Sequence, residues 1–337
     1  MNRRPVVAID AMGGDHAPEA IVLGALRATT ELGIDVVLFG DEGAIRAVLP
    51  QGDLPASVAI EATTQVIAMH DEPASAVRTL RDSSIVRAAE SVRDGRVDAW
   101  VGAGNTGATM AAAVLRIGRI RGVSRPAIAV PLPIPGTARK QLLVDGGATV
   151  DPEAAWLVQW ALLGQAYATV RLGVSSPTVG LLSNGEEAGK GDALRKNAFP
   201  LLEQGVKNFV GNVEGRDLSR EAADVVVTDG FTGNVALKTL EGAMMGMAGL
   251  VFGVLDAPEF AEHSMPIKLR ILEAAADLLP DNTGGAMLLG IQGICVISHG
   301  SSSADAIVNA CRVAVSCVEA DVVSKLTAAV MSSDKVA

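Results

Sequence analysis

The residues near the start of the chain that are best suited to chemistry lie in one turn, Asp10-Ala-Met-Gly-Gly-Asp15-His16. An apolar run from Val6 to Ile9 predicts a buried strand before this turn, and Glu19 to Leu32 predicts a helix after it. Amides at a helix start bind anions, and glycine lets the backbone approach a ligand closely. The predicted anion-binding residues here are Asp10, Gly13, Gly14 and Asp15. The alternative is that the two aspartates only brace the turn.

Five later predicted strands also end in glycine beside polar side chains. These strands are Val97–Val101, Gln141–Val144, Thr178–Leu182, Asp224–Val227 and Ile294–Ile297. Open α/β sheets bind ligands at the carboxyl ends of their strands, so we expect all six ends to share one edge and form a small-molecule site. For any single end, ordinary turn chemistry is the alternative. No dinucleotide or Walker fingerprint is present among these ends.

The elements that position these ends alternate between strand and helix along the 337 residues. This order predicts an α/β fold with a mainly parallel sheet sandwiched by helices. We expect one α/β domain over residues 1–337. A helical extension at about 235–280 interrupts the alternation, and we assign it to dimerisation and membrane contact.

An apolar segment, Ala243 to Leu255, lies in this extension. It is shorter than the ~20 residues that a membrane span needs. One interpretation buries it in the core or a dimer interface, and the other lets its end, Phe252 to Pro258, enter a bilayer surface. The residues predicted to contact the membrane are Leu250, Val251, Phe252, Val254 and Leu255.

Charge and histidine spacing narrow the possible partners and cofactors. A formal net charge of −10 argues against general nucleic-acid binding, yet the stretch between Asp98 and Asp145 has no acidic residue and several arginines. This sector predicts an acidic partner or an anionic substrate, and a solvated face is the alternative. The four histidines lack metal-ligand spacing, so we expect no structural metal. The three cysteines form no C-x-x-C motif, and the first residues are too short and too polar for a signal peptide. Both features predict a cytoplasmic protein.

Long motifs in a fixed order make the chain resemble the bacterial phosphate acyltransferases, also called acyl-ACP:phosphate transacylases or fatty acyl-phosphate synthases. The motifs are Asp10-Ala-Met-Gly-Gly-Asp15, Ala103-Gly-Asn-Thr-Gly-Ala108, Asn208-Phe-Val-Gly-Asn-Val-Glu-Gly-Arg216, Val226-Val-Thr-Asp-Gly-Phe-Thr-Gly-Asn234, Gly284-Gly-Ala-Met-Leu-Leu-Gly290 and Ser298-His-Gly-Ser-Ser302. The chain departs from the family pattern at Leu80-Arg81, Asp145-Gly-Gly-Ala-Thr149 and Ser183-Asn-Gly-Glu-Glu187.

The resemblance implies transfer of a long acyl chain from acyl carrier protein to inorganic phosphate. The product, acyl phosphate, would feed a glycerol-3-phosphate acyltransferase in phospholipid synthesis. The resemblance also implies a fold like that of the phosphotransacetylases and isocitrate dehydrogenases, a homodimer, and no nucleotide or metal cofactor. We expect a cytoplasmic protein that associates peripherally with the inner face of the cell membrane.

Such a reaction needs an anion cradle, an oxyanion stabiliser and a proton donor to the leaving thiolate. The predicted catalytic residues are His16, Lys190, Asp229 and His299. The predicted substrate-binding residues, besides those of the first turn, are Asn105, Thr106, Gly107, Asn184, Gly230, Asn234, Ser298 and Ser301. The predicted docking residues for the acidic carrier protein are Arg116, Arg119, Arg121 and Arg125. Capping of the last helix is the alternative for both serines, and bracing of a glycine turn is the alternative for Asp229.

Three other functions compete with this interpretation. They are a short-chain acyl-CoA:phosphate transferase, a nicotinamide-dependent dehydrogenase of similar fold, and a non-catalytic membrane-associated scaffold for lipid synthesis. The missing dinucleotide fingerprint counts against the dehydrogenase, and the polar strand ends count against the scaffold. Direct attack by phosphate is favoured over a covalent acyl-enzyme, because the chain has no G-x-S-x-G elbow and its cysteines lie in apolar runs.

Overall fold

The structure is a computed structural model that describes residues 3–49, 54–274 and 284–333. The strands are β1 Val6–Asp10, β2 Asp35–Gly40, β3 Val58–Ala62, β4 Ala99–Gly102, β5 Ala127–Pro133, β6 Lys140–Val144, β7 Val179–Ser183, β8 Phe209–Glu214, β9 Val225–Val227, β10 Ala286–Leu289 and β11 Ile294–Ile297. The α-helices are α1 Glu19–Leu32, α2 Glu42–Ala47, α3 Pro73–Thr79, α4 Ser84–Arg93, α5 Thr106–Ala112, α6 Ala154–Arg171, α7 Ala193–Gly205, α8 Gly230–Leu255, α9 Ala261–Ala274, α10 Ala304–Glu319 and α11 Val322–Ser333.

The strands within the described ranges form one sheet in the order β3-β2-β1-β4-β11-β10-β5-β6-β9-β7-β8. Strands β1 to β4 and β11 are parallel to one another, and we call them the first half-sheet. Strands β6 to β9 are likewise parallel and form the second half-sheet. Between them, β10 and β5 make three antiparallel pairings. The predicted mainly parallel α/β fold is confirmed, but the two half-sheets run in opposite directions.

The register brings the carboxyl ends of the two half-sheets to the same height. Val296 of β11 pairs with Met287 of β10, Met287 pairs with Ala129 of β5, and Ala129 pairs with Val144 of β6. Strands β11 and β6 therefore stop at nearly the same point along β5, although they arrive from opposite directions. The expectation of one shared edge is wrong, because two sets of strand ends face each other across β5.

Helices cover both faces of the sheet, which explains the near-continuous apolar strands. Along β1, Val7 and Ile9 join one buried cluster with α1 and α10, whereas Ala8 joins a second cluster with α4. The aromatic core is small, with Trp100 and Trp160 fully buried. The three cysteines, Cys295, Cys311 and Cys317, are buried and free, as small core residues would be.

Most sequence-predicted elements lie where expected. Helix α1 and strand β11 have the predicted bounds, and so does α4, which the helical spacing of Ile85, Ala88, Ala89 and Val92 predicts over Ser84 to Arg93. The predicted last helix is instead two helices, because Asp321 adopts a left-handed conformation with φ of 49° between α10 and α11. Strands β8 and β10 were not predicted, and β10 is the antiparallel strand beside β11.

The predicted helical extension corresponds to α8 and α9, although α8 begins earlier, at Gly230, and the residues after Ala274 lie outside the described ranges. Among the described residues, α8 is the one helix long and apolar enough to cross a membrane, judged by length and composition alone. Its second half is exposed in the single chain, with Met245 at 70% and Leu250 at 63%. Burial of this segment in the domain's own core is therefore excluded. The single-domain assignment and the role of the extension remain predictions.

Candidate active site

A cavity of about 200 Å³ lies where the two half-sheets face each other. Four sequence-predicted site residues line it, namely Thr106, Asn234, Ser298 and His299. They come from both half-sheets, since Thr106 follows β4 and Ser298 follows β11, whereas Asn234 follows β9. The converging strand ends thus form a common site by facing each other rather than by sharing an edge.

The cavity has an apolar part and a charged part. Much of the apolar lining comes from β5 and α8, and it includes Ile128, Val130, Leu132, Leu237, Leu240 and Met244. The ionisable side chains in the lining are Lys238, Glu241 and His299. A ligand with both an apolar chain and an anionic group matches this division.

The three ionisable side chains form a chain of contacts. The Lys238 ammonium donates to Glu241 Oε2 at 2.8 Å, and Glu241 Oε1 lies 4.0 Å from His299 Nε2. Lys238 and Glu241 lie one turn apart on α8, whereas His299 follows β11 in the other half of the sheet. The cavity therefore offers one lysine and one histidine side chain to an anion, with a carboxylate between them.

Close packing of its first turn holds α8 against the end of β6. A Cβ at Gly233 would lie 1.9 Å from the Asp145 carbonyl oxygen, so only glycine fits there. Asn234 then donates from Nδ2 to the Gly146 carbonyl at 3.3 Å. This contact fixes the start of α8 beside the cavity, and the helix spacing carries Lys238 and Glu241 along the same face.

Asp145, which follows β6, is fully buried and held by backbone amides. Its carboxylate accepts from Ile128 at 2.8 Å, Gly147 at 3.1 Å, Ala148 at 2.9 and 3.0 Å, and Thr149 at 2.7 Å. Burial raises its pKa to about 6, although these amide hydrogen bonds oppose the shift. This residue braces the turn that forms part of the cavity wall.

Asp229, which follows β9, is held differently. It caps α8 by accepting from the Thr232 amide at 2.8 Å, and its other oxygen accepts from the buried Arg195 guanidinium. Burial favours a higher pKa, but the bonds from Thr232 and Arg195 outweigh it and lower the pKa below the ordinary value. Arg195 also donates to Thr228 Oγ1 at 2.8 Å. Asp229 lies outside the cavity lining, and its catalytic role remains a prediction.

The turn after β1 packs mainly against neighbouring turns. A Cβ at Gly13 would lie 2.7 Å from the Gly104 amide nitrogen, and one at Gly14 would lie 2.8 Å from the Gly300 carbonyl oxygen. Asp10 is buried and accepts from the Met12 amide at 3.1 Å, and burial raises its pKa. These contacts supply the bracing role for Asp10. The turn residues Asp10, Gly13, Gly14, Asp15 and His16 lie outside the cavity lining, with Asp15 and His16 exposed.

Asn105 has a structural position at the start of α5. Its Oδ1 accepts from the Ala108 amide at 3.0 Å, and its Nδ2 donates to the Ala68 carbonyl at 3.0 Å. Gly107 packs against Pro73, where a Cβ would lie 2.7 Å from the proline ring. Both residues therefore position Thr106 at the cavity, and their direct binding of substrate remains a prediction.

The two predicted serines differ in position. Ser298 is buried, lines the cavity and shares a 2.7 Å hydrogen bond with Ser302 Oγ. Ser302 donates to the His299 carbonyl at 2.5 Å, so its hydroxyl supports the backbone beside the cavity. Ser301 is exposed and lies outside the lining. The side chain that caps α10 belongs to Ser303.

Asn184 lines a second, more open cavity with Ser183, Asp192, Arg195 and Thr232. Lys190 is exposed beside it, with its side chain against Gly185. Gly230 lies against the Asp145 carboxylate, where a Cβ would be 2.8 Å from Oδ2. These predicted residues therefore border the second half-sheet's own turns rather than the lining of the first cavity.

The four arginines predicted to dock the carrier protein differ in how far neighbouring groups already bind their side chains. Arg116 is partly buried and donates to the Val77 carbonyl at 2.8 Å, and Arg119 donates to the Ser124 carbonyl. Arg121 and Arg125 are exposed, and the Arg125 guanidinium lies 5.5 Å from the centre of the Trp156 ring. Arg121 and Arg125 are thus more accessible to a partner than Arg116.

One acidic cluster among the described residues has the spacing to hold a cation. Oxygen atoms of Glu186, Glu214 and Asp217 lie within 4.8 Å of one another. The Arg216 guanidinium contacts both Glu186 and Glu214, so two of the three carboxylates already have a cationic partner. Neither Glu186 nor the other two residues belong to either cavity described above.

Sequence reasoning missed Lys238 and Glu241, although a signal for them was present. They follow Asn234 by four and seven residues, which is the spacing of one helix face. Extending that face from the predicted Asn234 would have found both. Gly146 and Gly147, at the end of one of the strands predicted to form the site, also line the cavity, and so does Gly285, which was not predicted.

The chain matches the model of a family described as "Fatty acid synthesis protein" over residues 6–325. A phosphate acyltransferase from Desulfitobacterium hafniense is 46% identical over 326 residues, covering 95% of this chain and 96% of that protein. A phosphate acyltransferase from a Geobacillus strain is 44% identical over 326 residues, covering 96% of this chain and 98% of that protein.

Two solved structures share the fold at low sequence identity. A phosphotransacetylase from Streptococcus pyogenes superposes with a TM-score of 0.63 at 16% identity and covers 95% of each chain. A branched-chain phosphotransacylase from Enterococcus faecalis superposes with a TM-score of 0.54 at 16% identity, covering 93% of this chain and 98% of that one. The predicted likeness to the phosphotransacetylase fold is confirmed.

Proposed function

The chain belongs to the fatty acid synthesis protein family, whose matched relatives are phosphate acyltransferases, and we propose that it transfers a long-chain fatty acyl group from acyl carrier protein to inorganic phosphate. The products are acyl phosphate, for phospholipid synthesis, and free carrier protein. The observation that carries this proposal is the divided cavity, in which Lys238 and His299 adjoin an apolar lining.

The division of the cavity suits the two substrates. Phosphate is a compact anion, and a lysine ammonium with a histidine beside it attracts such an anion in a partly enclosed site. An acyl chain loses its contact with water when it lies against the apolar lining of β5 and α8. A thioester carbonyl held where these two parts meet is within reach of a bound phosphate.

In the proposed reaction, a phosphate oxygen attacks the thioester carbonyl directly. We assign stabilisation of the charge that develops on the carbonyl oxygen to amide groups of the surrounding turns, because the Ser298 hydroxyl already donates to Ser302. The carbon–sulfur bond then breaks, and His299 gives a proton to the departing thiolate. Within the described residues, the three cysteines are buried in the core, which favours direct attack over an acyl-enzyme on a cysteine.

We assign docking of the acidic carrier protein to the exposed arginines Arg121 and Arg125, with Arg119 beside them. Exposed guanidinium groups steer an acidic partner, and salt weakens that steering. Arg116 contributes less in this proposal, because the Val77 carbonyl and Glu90 already hold it.

The exposed second half of α8 supports the proposals of a homodimer and of membrane contact. Apolar side chains such as Leu250 and Val254 are more than half exposed in the single chain, and a second copy or a bilayer surface would cover them. A cytoplasmic enzyme resting on the inner face of the membrane could pass its labile product to a glycerol-3-phosphate acyltransferase there.

The test is acyl-phosphate formation from palmitoyl-ACP and phosphate, with palmitoyl-CoA and acetyl-CoA as parallel donors. We expect turnover with palmitoyl-ACP and little with acetyl-CoA. Turnover with acetyl-CoA alone would identify a short-chain transferase instead. Absence of turnover with all three donors would reject the catalytic proposal and favour a scaffold.

A further inference from the structure

Glu241 joins the two basic groups of the cavity. One of its carboxylate oxygens accepts from Lys238 Nζ at 2.8 Å, and the other lies 4.0 Å from His299 Nε2. Its side chain is 23% exposed, whereas Lys238 and His299 are 49% and 45% exposed. The carboxylate is therefore the most sheltered member of the group, with a different neighbour at each oxygen.

We propose that Glu241 is a positioning residue, which holds Lys238 for phosphate and His299 for the leaving thiolate on one wall of the cavity. This inference deepens the proposed function and rests on it. Glu241 does not itself contact the reacting atoms. It acts through the two groups beside it, and among the described residues that line the cavity, these three carry the ionisable side chains.

Lysine and histidine need such a partner for different reasons. Lysine has a flexible side chain, and fixing its ammonium beforehand lowers the entropy lost when phosphate binds. Histidine must be protonated and correctly oriented to act as an acid, and a carboxylate beside the ring favours the imidazolium. Catalytic contacts commonly tighten when substrate binds, and the 4.0 Å separation between Glu241 and His299 is close enough for such tightening to form a hydrogen bond.

In the proposed step, His299 gives up one proton and regains one, so that all protons are accounted for. The carbon–oxygen bond forms, the carbon–sulfur bond breaks, and sulfur leaves with the electron pair of that bond. The imidazolium gives its proton to sulfur, and the neutral ring then takes the proton that hydrogen phosphate brought into the site. Glu241 stays ionised throughout and compensates the imidazolium charge at the start and the end.

The test compares two acyl donors that differ in how much their thiol needs a proton to leave. Palmitoyl-ACP releases an alkyl thiol, whereas the palmitoyl thioester of 4-nitrothiophenol releases a far more acidic thiol. For Glu241→Gln we expect kcat with palmitoyl-ACP to fall about tenfold, because His299 loses the carboxylate that orients it as the acid. With the aryl thioester we expect a fall of less than about twofold, since that thiolate leaves without a proton. We also expect the KM for phosphate to rise as Lys238 loses its anchor.

Two further variants make the test decisive. Glu42→Gln is the matched control, because Glu42 pairs with Arg46 at 2.8 Å on the exposed surface of α2, and we expect its kinetics to equal those of the wild type. Glu241→Asp keeps the charge and should retain more kcat than Glu241→Gln. If the wild type does not accept the aryl thioester, this ranking with palmitoyl-ACP decides the question.

The outcomes separate this inference from the proposed function. If the wild type turns over, any one of three results would overturn the positioning role alone. They are unchanged kinetics for Glu241→Gln, equal losses for both donors, and equal rates for Glu241→Asp and Glu241→Gln. Absence of wild-type turnover with every acyl donor would overturn the proposed function and this inference together.

Discussion

The turns after β6 and β9 lie side by side, and each contains a buried aspartate, but the two carboxylates are stabilised differently. Asp145 accepts hydrogen bonds from backbone amides, and burial raises its pKa to about 6. Asp229 pairs with the Arg195 guanidinium, and its pKa is lowered because its partners outweigh its burial. Neighbouring positions in the same half-sheet thus use two different solutions to the cost of burying a carboxylate.

The difference shows how α8 is held from two directions. Asp145 keeps the turn after β6 in the shape against which Gly233 packs, mainly through bonds within that turn, and one further bond from the Ile128 amide ties the turn to β5. Asp229 caps the helix through the Thr232 amide, and its bond with Arg195 ties the helix to α7 over a long sequence separation. Because α8 carries Lys238 and Glu241, both aspartates are important to the cavity without lining it.

We expect the pair between Arg195 and Asp229 to cost more stability when it is broken than the bracing bonds of Asp145. Arg195→Ala leaves Asp229 buried without its cationic partner, and we expect the free energy of unfolding to fall by about 3–5 kcal/mol. Urea denaturation measures this loss. The matched control is Arg46→Ala, which breaks an exposed arginine–glutamate pair and should cost less than about 1 kcal/mol. Similar costs for the two variants would show that burial does not distinguish them.

We expect a change at Asp145 to cost less stability than the loss of Arg195. Asp145→Asn replaces one accepting oxygen by an NH₂ group, so amides such as that of Thr149 lose their acceptor. We expect a loss of about 2–3 kcal/mol at neutral pH, again from urea denaturation. A cost below about 0.5 kcal/mol would contradict the bracing role.

The two aspartates should also respond differently to pH. Because the folded pKa of Asp145 is raised, its contribution to stability is complete below the unfolded value of 3.8 and is lost as pH rises through about 6. For Asp229 the folded pKa is lowered, so its contribution is present above the unfolded value and is lost only as pH falls through the folded one.

We therefore expect the stability difference between the wild type and Asp145→Asn to shrink by about 2 kcal/mol between pH 4.5 and 7.5. The difference between the wild type and Asp229→Asn should stay nearly constant over the same range. Urea denaturation at four pH values in this window measures both slopes. A constant difference for Asp145→Asn would mean that this carboxylate titrates alike in the folded and unfolded chain.

Local patterns predicted the elements well where their signal was strong. The amphipathic spacing of α4 and the apolar run of β11 gave the observed bounds. Strand β10 escaped prediction because four residues after a pair of glycines carry too little periodicity. The glycines of the turn after β1 were predicted to permit a close approach, and only the fold shows that Gly104 and Gly300 make one, while anion binding by this turn stays a prediction.

The sequence by itself determined the elements, the family resemblance and four residues of the cavity lining, because these follow from local periodicity and from motifs. The tertiary structure decided that the strand ends face each other across β5 and that Lys238, Glu241 and His299 meet there. The physical reason lies in strand pairing. A buried apolar strand looks the same in sequence whether its neighbour is parallel or antiparallel, and the antiparallel pairings of β5 and β10 set the direction of the second half-sheet.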